Sequence, residues 1–149
     1  MRPAEAVDVV VAGGGVTGLA FATLLASRAP VRVLVVEARQ DRGDDGTDMR
    51  TLAVSVGARN VLAAAGAWAL LDAAGIGPLR AMHVWEPAGA CIDFDAADVA
   101  APALAWVLRT AALETALVAR TAALAGIAWQ RPATVASLAQ EDDAVRVLL

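Results

Sequence analysis

The chain has 149 residues, which is enough for one domain with a hydrophobic core but short for a two-domain enzyme. Its formal net charge of −4 excludes the basic surface that nucleic-acid binding requires. A single cysteine, Cys91, excludes an internal disulfide and predicts a reducing, cytoplasmic location.

The region from Asp8 to Glu37 carries the strongest pattern in the chain. Two valine-rich runs, 7–12 and 31–36, flank glycines that follow the spacing G-x-G-x-x-G. This order predicts a strand, a tight turn, a helix and a second strand. Because the runs show little alternation, we expect parallel strands that are buried on both faces and joined by a right-handed crossover.

The glycine positions predict a phosphate-binding turn. Gly13 permits a sharp turn, Gly15 permits close approach of a pyrophosphate, and Gly18 permits tight packing of the helix on the strand. The free N–H groups and the dipole at the helix N-terminus attract phosphate without a basic side chain. The candidate binding residues in this turn are Gly13, Gly14, Gly15, Val16, Thr17 and Gly18.

Glu37 follows the second predicted strand, nineteen residues after Gly18. Its carboxylate is placed to accept hydrogen bonds from the ribose of an adenine dinucleotide, with Ala38 beside it. The uncharged stretch 9–27 is long enough to cross a bilayer, but its glycines and the acids at positions 5 and 8 favour the nucleotide interpretation. We therefore expect no transmembrane segment.

The predicted elements after Glu37 begin with a polar loop over 38–50, which would return Arg50 towards a bound cofactor. Two short helices at 58–65 and 67–74 are each stopped by a glycine, Gly66 and Gly75. The remaining predicted elements are a hairpin of 81–86 and 91–96, a strand at 104–108, a helix at 109–125, a strand at 127–130, and a strand pair of 134–140 and 144–149.

Several apolar residues are expected to be buried. They are Val61, Leu62, Trp68, Leu70 and Leu71 on the two short helices, and Met82, Val84, Ile92 and Phe94 in the hairpin. His83 has no second histidine and no cysteine at metal-ligand spacing, so it is expected to be a strand residue, and we predict no metal site.

Five segments together resemble the FAD-dependent aromatic-ring hydroxylases, and in particular the ubiquinone-biosynthesis hydroxylase branch. The most discriminating is the third, in which Asp48, Arg50, Ser55 and Trp68 follow the family's pattern. The segments are DVVVAGGGVTGLAFATLLA, VRVLVVEA, DMRTLAVSVGARNVLAAAGAW, MHVWEPAG and LAWVLRTAALETAL.

The resemblance implies an α/β fold, with a Rossmann-like FAD-binding domain of the p-hydroxybenzoate hydroxylase type and the start of an antiparallel substrate-domain sheet. It divides the chain into an FAD-binding core at 1–78, a substrate-domain excursion at 79–100, and a return to the FAD-binding domain at 101–149. It also implies that the turn glycines, Glu37 and Arg50 contact FAD. Arg109, Thr110 and Ala111 stand where the family usually has Val-Glu-Asn, and Arg109 is a further candidate for cofactor contact.

By the same resemblance, NAD(P)H reduces the flavin, which then activates O₂ to hydroxylate an aromatic ring such as that of a ubiquinone-precursor-like phenol. No catalytic side chain is predicted in this chain. Peripheral contact with a membrane would come through a lipophilic substrate.

The family's second flavin motif, a Gly-Asp pair, is expected beyond residue 149. We therefore expect the chain to be an N-terminal portion that has no hydroxylase turnover alone and is prone to self-association. Two alternatives remain open. One is an NAD-binding dehydrogenase domain, and the other is a non-catalytic fragment with residual nucleotide binding.

Overall fold

The computed structural model describes residues 6–40 and 46–149 of the chain. They form two units, of which the first lies within Met1–Gly43 and Leu117–Leu149 and the second within Asp44–Ala116. Each unit is described by itself below. Part of the predicted loop after Glu37, residues 41–45, lies outside the described residues.

The described residues contain ten strands and three α-helices. The strands are β1 Val9–Ala12, β2 Val33–Val36, β3 Thr51–Ser55, β4 Gly77–Leu79, β5 Ala81–Trp85, β6 Cys91–Asp95, β7 Ala105–Arg109, β8 Ile127–Gln130, β9 Ser137–Gln140 and β10 Val145–Leu148. The helices are α1 Val16–Arg28, α2 Val56–Ala64 and α3 Thr110–Ala122, and short 3₁₀ turns occupy Trp68–Leu70, Ala73–Gly75 and Ala96–Val99.

The first unit is built on a parallel sheet in the order β1-β2-β8. Its middle strand is almost fully buried at Val33 and Val35, and Leu19 and Ala22 of α1 are fully buried. The prediction of two parallel strands joined by a helix is therefore confirmed. Because the strands are parallel, the carboxyl ends of all three lie at one edge of the sheet.

The end of the chain forms an antiparallel pair of β9 and β10 in the first unit, as the sequence predicts. The predicted helix at 109–125 is also present, although α3 is shorter at its carboxyl end. Leu113 and Leu117 on this helix are fully buried, which agrees with the apolar pattern of the helix.

The second unit contains an antiparallel sheet in the order β3-β7-β4. Neither β3 nor β4 is predicted from the sequence. Strand β3 pairs with β7 along its whole length, from Thr51 opposite Arg109 to Ser55 opposite Ala105. Its backbone partners are distant in the sequence, so no local pattern marks it as a strand. Pro78 lies in β4 at the edge of the sheet, where its lack of an N–H group is tolerated.

The predicted hairpin is present as β5 and β6, with Met82 opposite Phe94 and Val84 opposite Ile92. The expectation that these four residues are buried is wrong, because all four side chains are exposed. Alternation places them on one face of a two-stranded ribbon, and that face is left substantially exposed. His83 is a residue of β5, as predicted, and its ring pairs with Asp93 on the other face.

The prediction of a second short helix at 67–74 is wrong. The backbone makes two 3₁₀ turns with an extended Leu71 between them, and Asp72 caps the second turn through the N–H of Ala74. Gly66 has a positive φ of 77°, as a C-cap glycine should, whereas Gly75 does not.

The predicted buried side of these two segments is only partly correct. Leu62 is buried, Trp68 and Leu71 are half-buried, and Val61 and Leu70 are exposed. Trp68 packs edge-to-face against Trp106, and the guanidinium of Arg59 lies over both rings.

Candidate functional site

The turn after β1 has the geometry that its glycines predict. Gly13 has a φ of +99°, a conformation that L side chains rarely adopt, and its N–H donates to the carbonyl of Val36 over 2.8 Å. The turn is therefore anchored to the carboxyl end of the neighbouring strand β2 before the chain enters α1.

Glycine serves a different purpose at positions 15 and 18. A Cβ atom on Gly18 would overlap the carbonyl oxygen of Gly13 and lie 3.1 Å from Cγ1 of Val11, so the close packing of α1 on β1 requires glycine there. Apart from Gly15 itself and its two chain neighbours, no atom of residues 6–40 or 46–149 would lie within 4 Å of a Cβ atom on Gly15. The space beside Gly15 is open to a ligand, as a cradle for a pyrophosphate requires.

The N-terminus of α1 is suited to an anion. The first N–H groups of the helix, those of Val16, Thr17 and Gly18, have no acceptor inside the helix. The N-cap residue is Gly15, so no side chain caps these groups, and the first turn carries no acid. The donors and the positive end of the helix dipole therefore remain available for a phosphate group. These features fit the diphosphate of an adenine dinucleotide.

Glu37 is brought to this turn and is buried, with 5% of its surface exposed. Its Oε2 accepts a hydrogen bond from the N–H of Gly14 over 2.8 Å, and its Oε1 accepts one from the N–H of Arg39 over 3.0 Å. The Arg39 guanidinium lies 3.6 Å from the same oxygen. The structure places Glu37 beside the glycine turn, and its predicted contact with a ribose stays a prediction. Ala38, the next predicted site residue, is exposed.

Trp129, at the carboxyl end of β8, also contacts the turn, and it is not predicted from the sequence. A Cβ atom on Gly14 would lie 2.8 Å from Cζ3 and 3.0 Å from Cη2 of the indole. The guanidinium of Arg131 lies over the same ring, 4.8 Å from its centre. The signal that could have identified Trp129 is a large aromatic residue near the end of the third parallel strand, since ligands bind at that edge.

Arg50 and Arg109, the other two predicted site residues, belong to the second unit and meet at Asp48. The Arg50 guanidinium donates to both carboxylate oxygens of Asp48, over 2.8 and 2.6 Å, and Arg109 donates to the Asp48 carbonyl over 3.1 Å. These hydrogen bonds from the Arg50 side chain and backbone lower the pKa of Asp48 to about 2. In the same pair, Asp48 raises the pKa of Arg50.

The structure therefore groups the predicted cofactor contacts into two sets. Gly13 to Gly18 and Glu37 lie together in the first unit, and Arg50 and Arg109 lie together in the second. Contact of any of these residues with FAD remains a prediction.

Within 6–40 and 46–149, no group of three or more His, Cys, Asp or Glu side chains could hold a metal ion. None of the helices in these ranges has the length and apolar character needed to span a bilayer.

Solved structures of larger proteins show the same fold. The p-nitrophenol 4-monooxygenase PnpA of Pseudomonas putida superposes with a TM-score of 0.73 at 22% identity, over 93% of this chain and 35% of that chain. PqsL of Pseudomonas aeruginosa, solved in complex with 2-aminobenzoylacetate, superposes with a TM-score of 0.71 at 20% identity, over 95% of this chain and 38% of that chain. The predicted α/β fold with antiparallel sheets is confirmed.

The sequence comparisons identify the family. The 3-demethoxyubiquinol 3-hydroxylase of Escherichia coli is 30% identical over 113 residues, which cover 74% of this chain and 29% of that protein. This chain therefore spans less than a third of the length of that curated relative. The family model for the FAD binding domain matches residues 6–149, which confirms the predicted cofactor. Since this match includes nearly the whole sequence, the chain belongs to the FAD binding domain family.

Proposed function

We propose that this chain is the FAD-binding portion of a flavin-dependent monooxygenase that hydroxylates an aromatic ring with NAD(P)H and O₂. The observation that carries the proposal is the turn at Gly13–Gly18. Its open space beside Gly15 and uncapped helix N-terminus suit a pyrophosphate, and Glu37 lies beside it for a ribose.

In this proposal each part of the turn has one task. The N–H groups of Val16, Thr17 and Gly18 bind the pyrophosphate, and Gly15 leaves room for it. Glu37 accepts hydrogen bonds from the ribose hydroxyls while Gly14 orients its carboxylate. Bound FAD supplies the redox chemistry, and the protein binds and orients it and keeps water away from it.

Arg50 and Arg109 of the second unit are the other proposed cofactor contacts. We propose that Arg50 and Arg109 bind the pyrophosphate or the flavin, with Asp48 holding the Arg50 guanidinium in one orientation through two hydrogen bonds. The division into 1–78, 79–100 and 101–149 is part of the same proposal, as the hairpin of β5 and β6 would then belong to a substrate domain.

FAD is favoured over NAD(P) by charge and by topology. The Glu37 carboxylate beside the ribose position would repel the 2′-phosphate of NADP. A dehydrogenase domain would continue after β2 with a second strand–helix–strand repeat, but the next strand of the parallel sheet is β8.

The substrate is proposed from the names of similar proteins. One of them hydroxylates demethoxyubiquinol, and another was solved with 2-aminobenzoylacetate, so we propose a small aromatic molecule such as a ubiquinone-precursor-like phenol. We further propose a cytoplasmic location, with membrane contact only through a lipophilic substrate. We also propose self-association through exposed apolar edges, including the terminal strand β10, where Val145 and Leu148 are exposed.

A second candidate function is nucleotide binding without catalysis. It is favoured because the chain covers only a small part of the length of the similar proteins. The chain covers 29% of the curated hydroxylase and 35% of one solved monooxygenase. We expect the 149 residues alone to bind the ADP half of FAD and to catalyse no coupled hydroxylation, because the walls around the flavin ring would come from further segments.

Calorimetric titration of the purified chain with FAD, ADP, NAD⁺ and NADP⁺ tests this proposal. We expect FAD and ADP to bind at least 10-fold more tightly than NADP⁺. Tighter binding of NAD⁺ or NADP⁺ would contradict the assignment. An NADPH-dependent hydroxylation assay with simple phenols then separates the two functions, since coupled product formation would show that the chain is a complete catalyst.

A further inference from the structure

The residue at position 14 is glycine although the motif does not require it. In G-x-G-x-x-G, the second position is variable, and Gly14 does not have a positive φ angle. Its backbone conformation is therefore one that any residue adopts. What excludes a side chain is space, because a Cβ atom would lie 2.8 Å and 3.0 Å from two ring carbons of Trp129. The first distance is shorter than real Cβ contacts, and the second is tighter than most of them, so the indole would have to shift.

The indole of Trp129 has little freedom to move. Its Nε1 donates a hydrogen bond to Oγ1 of Thr121 over 3.3 Å. Thr121 is buried on α3 and donates its own hydroxyl proton to the carbonyl of Val118 over 2.7 Å. The guanidinium of Arg131 lies over the ring at 4.8 Å from its centre. The ring is thus held by a hydrogen bond at its nitrogen and by a cation on its face.

Trp129 also lies on the strand beside β2, the strand that Glu37 directly follows. In the parallel register of β2 and β8, Trp129 is opposite Val35, and the N–H of Glu37 donates to the carbonyl of Gln130 over 3.0 Å. The indole that leaves no room for a side chain at position 14 is therefore held in place relative to the Glu37 carboxylate. That carboxylate accepts the hydrogen bond from the Gly14 N–H.

We propose that Trp129 is a positioning residue of the nucleotide site. Its ring forms a floor beneath the Gly13–Gly15 turn, keeps the Gly14 N–H on the Glu37 carboxylate, and so fixes the orientation of Gly15 and of the N-terminus of α1. This inference rests on the proposed binding of an adenine dinucleotide. It adds a residue of β8 to a site that is otherwise formed by the glycine motif and by Glu37 after β2.

A double-mutant cycle measured by ADP binding tests the proposal. We expect Gly14→Ala to weaken ADP binding at least 10-fold, because the methyl group must displace the turn or the indole. Trp129→Leu should weaken binding about 3-fold by removing the floor. In Gly14→Ala/Trp129→Leu the methyl group has room, so binding should be close to that of Trp129→Leu alone.

Matched controls come from the second unit. Gly57 has open space around its would-be Cβ atom and Trp85 is exposed, so Gly57→Ala, Trp85→Leu and their combination should leave ADP binding unchanged. Additive losses for Gly14→Ala and Trp129→Leu, with no rescue in the double variant, would overturn the proposal. Trp129→Phe, which has a shorter ring, replaces Trp129→Leu in the cycle if the latter does not fold.

A second measurement needs no nucleotide. The Gly14 N–H should be protected from hydrogen exchange by its bond to Glu37, and Trp129→Leu should accelerate its exchange at least 10-fold relative to amides in β1. Unchanged exchange together with unchanged ADP affinity would show that Trp129 only fills space. If the wild-type chain binds no nucleotide, the proposed function fails, while the exchange rate still decides whether Trp129 positions the turn.

Discussion

The backbone N–H of Gly14 donates a hydrogen bond of 2.8 Å to the buried Glu37 carboxylate, and this bond joins the turn after β1 to the end of β2. The other carboxylate oxygen accepts the N–H of Arg39. The two halves of the proposed nucleotide site, the phosphate turn and the ribose acid, are therefore joined before any ligand binds. A preformed site of this kind loses less conformational entropy when its ligand binds.

Both carboxylate oxygens of Glu37 should be required, since each accepts a backbone N–H. In Glu37→Gln the amide oxygen can replace only one carboxylate oxygen, so the amide NH₂ group would face a backbone donor. We expect a loss of roughly 1–3 kcal/mol in the free energy of unfolding and at least a 10-fold loss in ADP affinity. Chemical denaturation and calorimetry measure both. Glu86→Gln, at an exposed position in the hairpin, is the control, and equal behaviour of the two variants would contradict the role of Glu37.

Two glycines of the turn should respond differently to substitution. Gly15→Val places its side chain in open space, so the fold should persist while ADP affinity falls at least 10-fold because the side chain enters the pyrophosphate position. Gly18→Ala meets the carbonyl of Gly13 and should destabilise the fold itself. Circular dichroism with thermal melting, followed by calorimetry on the folded variants, distinguishes the two effects. An unchanged ADP affinity in Gly15→Val would remove the pyrophosphate site from this turn.

Two buried threonines should have opposite effects when replaced by valine. The hydroxyl of Thr23 is buried in α1 and has no hydrogen-bond partner among the residues that the structure describes, so Thr23→Val should leave the free energy of unfolding unchanged or raise it by about 1 kcal/mol. Thr121 donates to Val118 and accepts from Trp129, so Thr121→Val should lower it by about 1–2 kcal/mol. Urea denaturation of both variants measures the difference. A destabilised Thr23→Val would show that its hydroxyl has a partner.

The Asp48–Arg50 pair predicts a pH dependence in the acid range. The Arg50 hydrogen bonds lower the pKa of Asp48 from 3.8 to about 2 in the folded chain. The stability that the pair contributes is therefore fully present above about pH 4 and is lost as the pH falls towards 2. In Arg50→Gln we expect the pKa of Asp48 to rise towards 3.8, as measured by NMR titration of its carboxyl carbon.

Arg39→Gln is the matched control for that titration, because Arg39 pairs with Glu37 and not with Asp48. The titration of Asp48 in this variant should match that of the wild type. A pKa of Asp48 that stays near 2 in Arg50→Gln would show that another group holds the carboxylate in its charged form.

The sequence by itself determined the parts of the fold that depend on local pattern. The valine runs and the glycine spacing predict β1, α1 and β2, and alternation around a turn predicts the hairpin of β5 and β6. The sequence also marks Glu37, after the second strand, as a candidate ribose contact, and a βαβ unit brings the end of its second strand beside the end of its first. In each case the residues that form the contact lie within one supersecondary unit.

Only the tertiary structure decided the features that join distant parts of the chain. Thr51–Ser55 becomes a strand because β7 supplies its backbone partners, and Trp129 reaches Gly14 because β8 pairs with β2. Tertiary packing likewise decides which apolar residues are covered, and it leaves the hairpin residues Met82 and Phe94 exposed. Hydrophobic periodicity predicts the face on which a side chain lies, but burial of that face depends on another element packing against it.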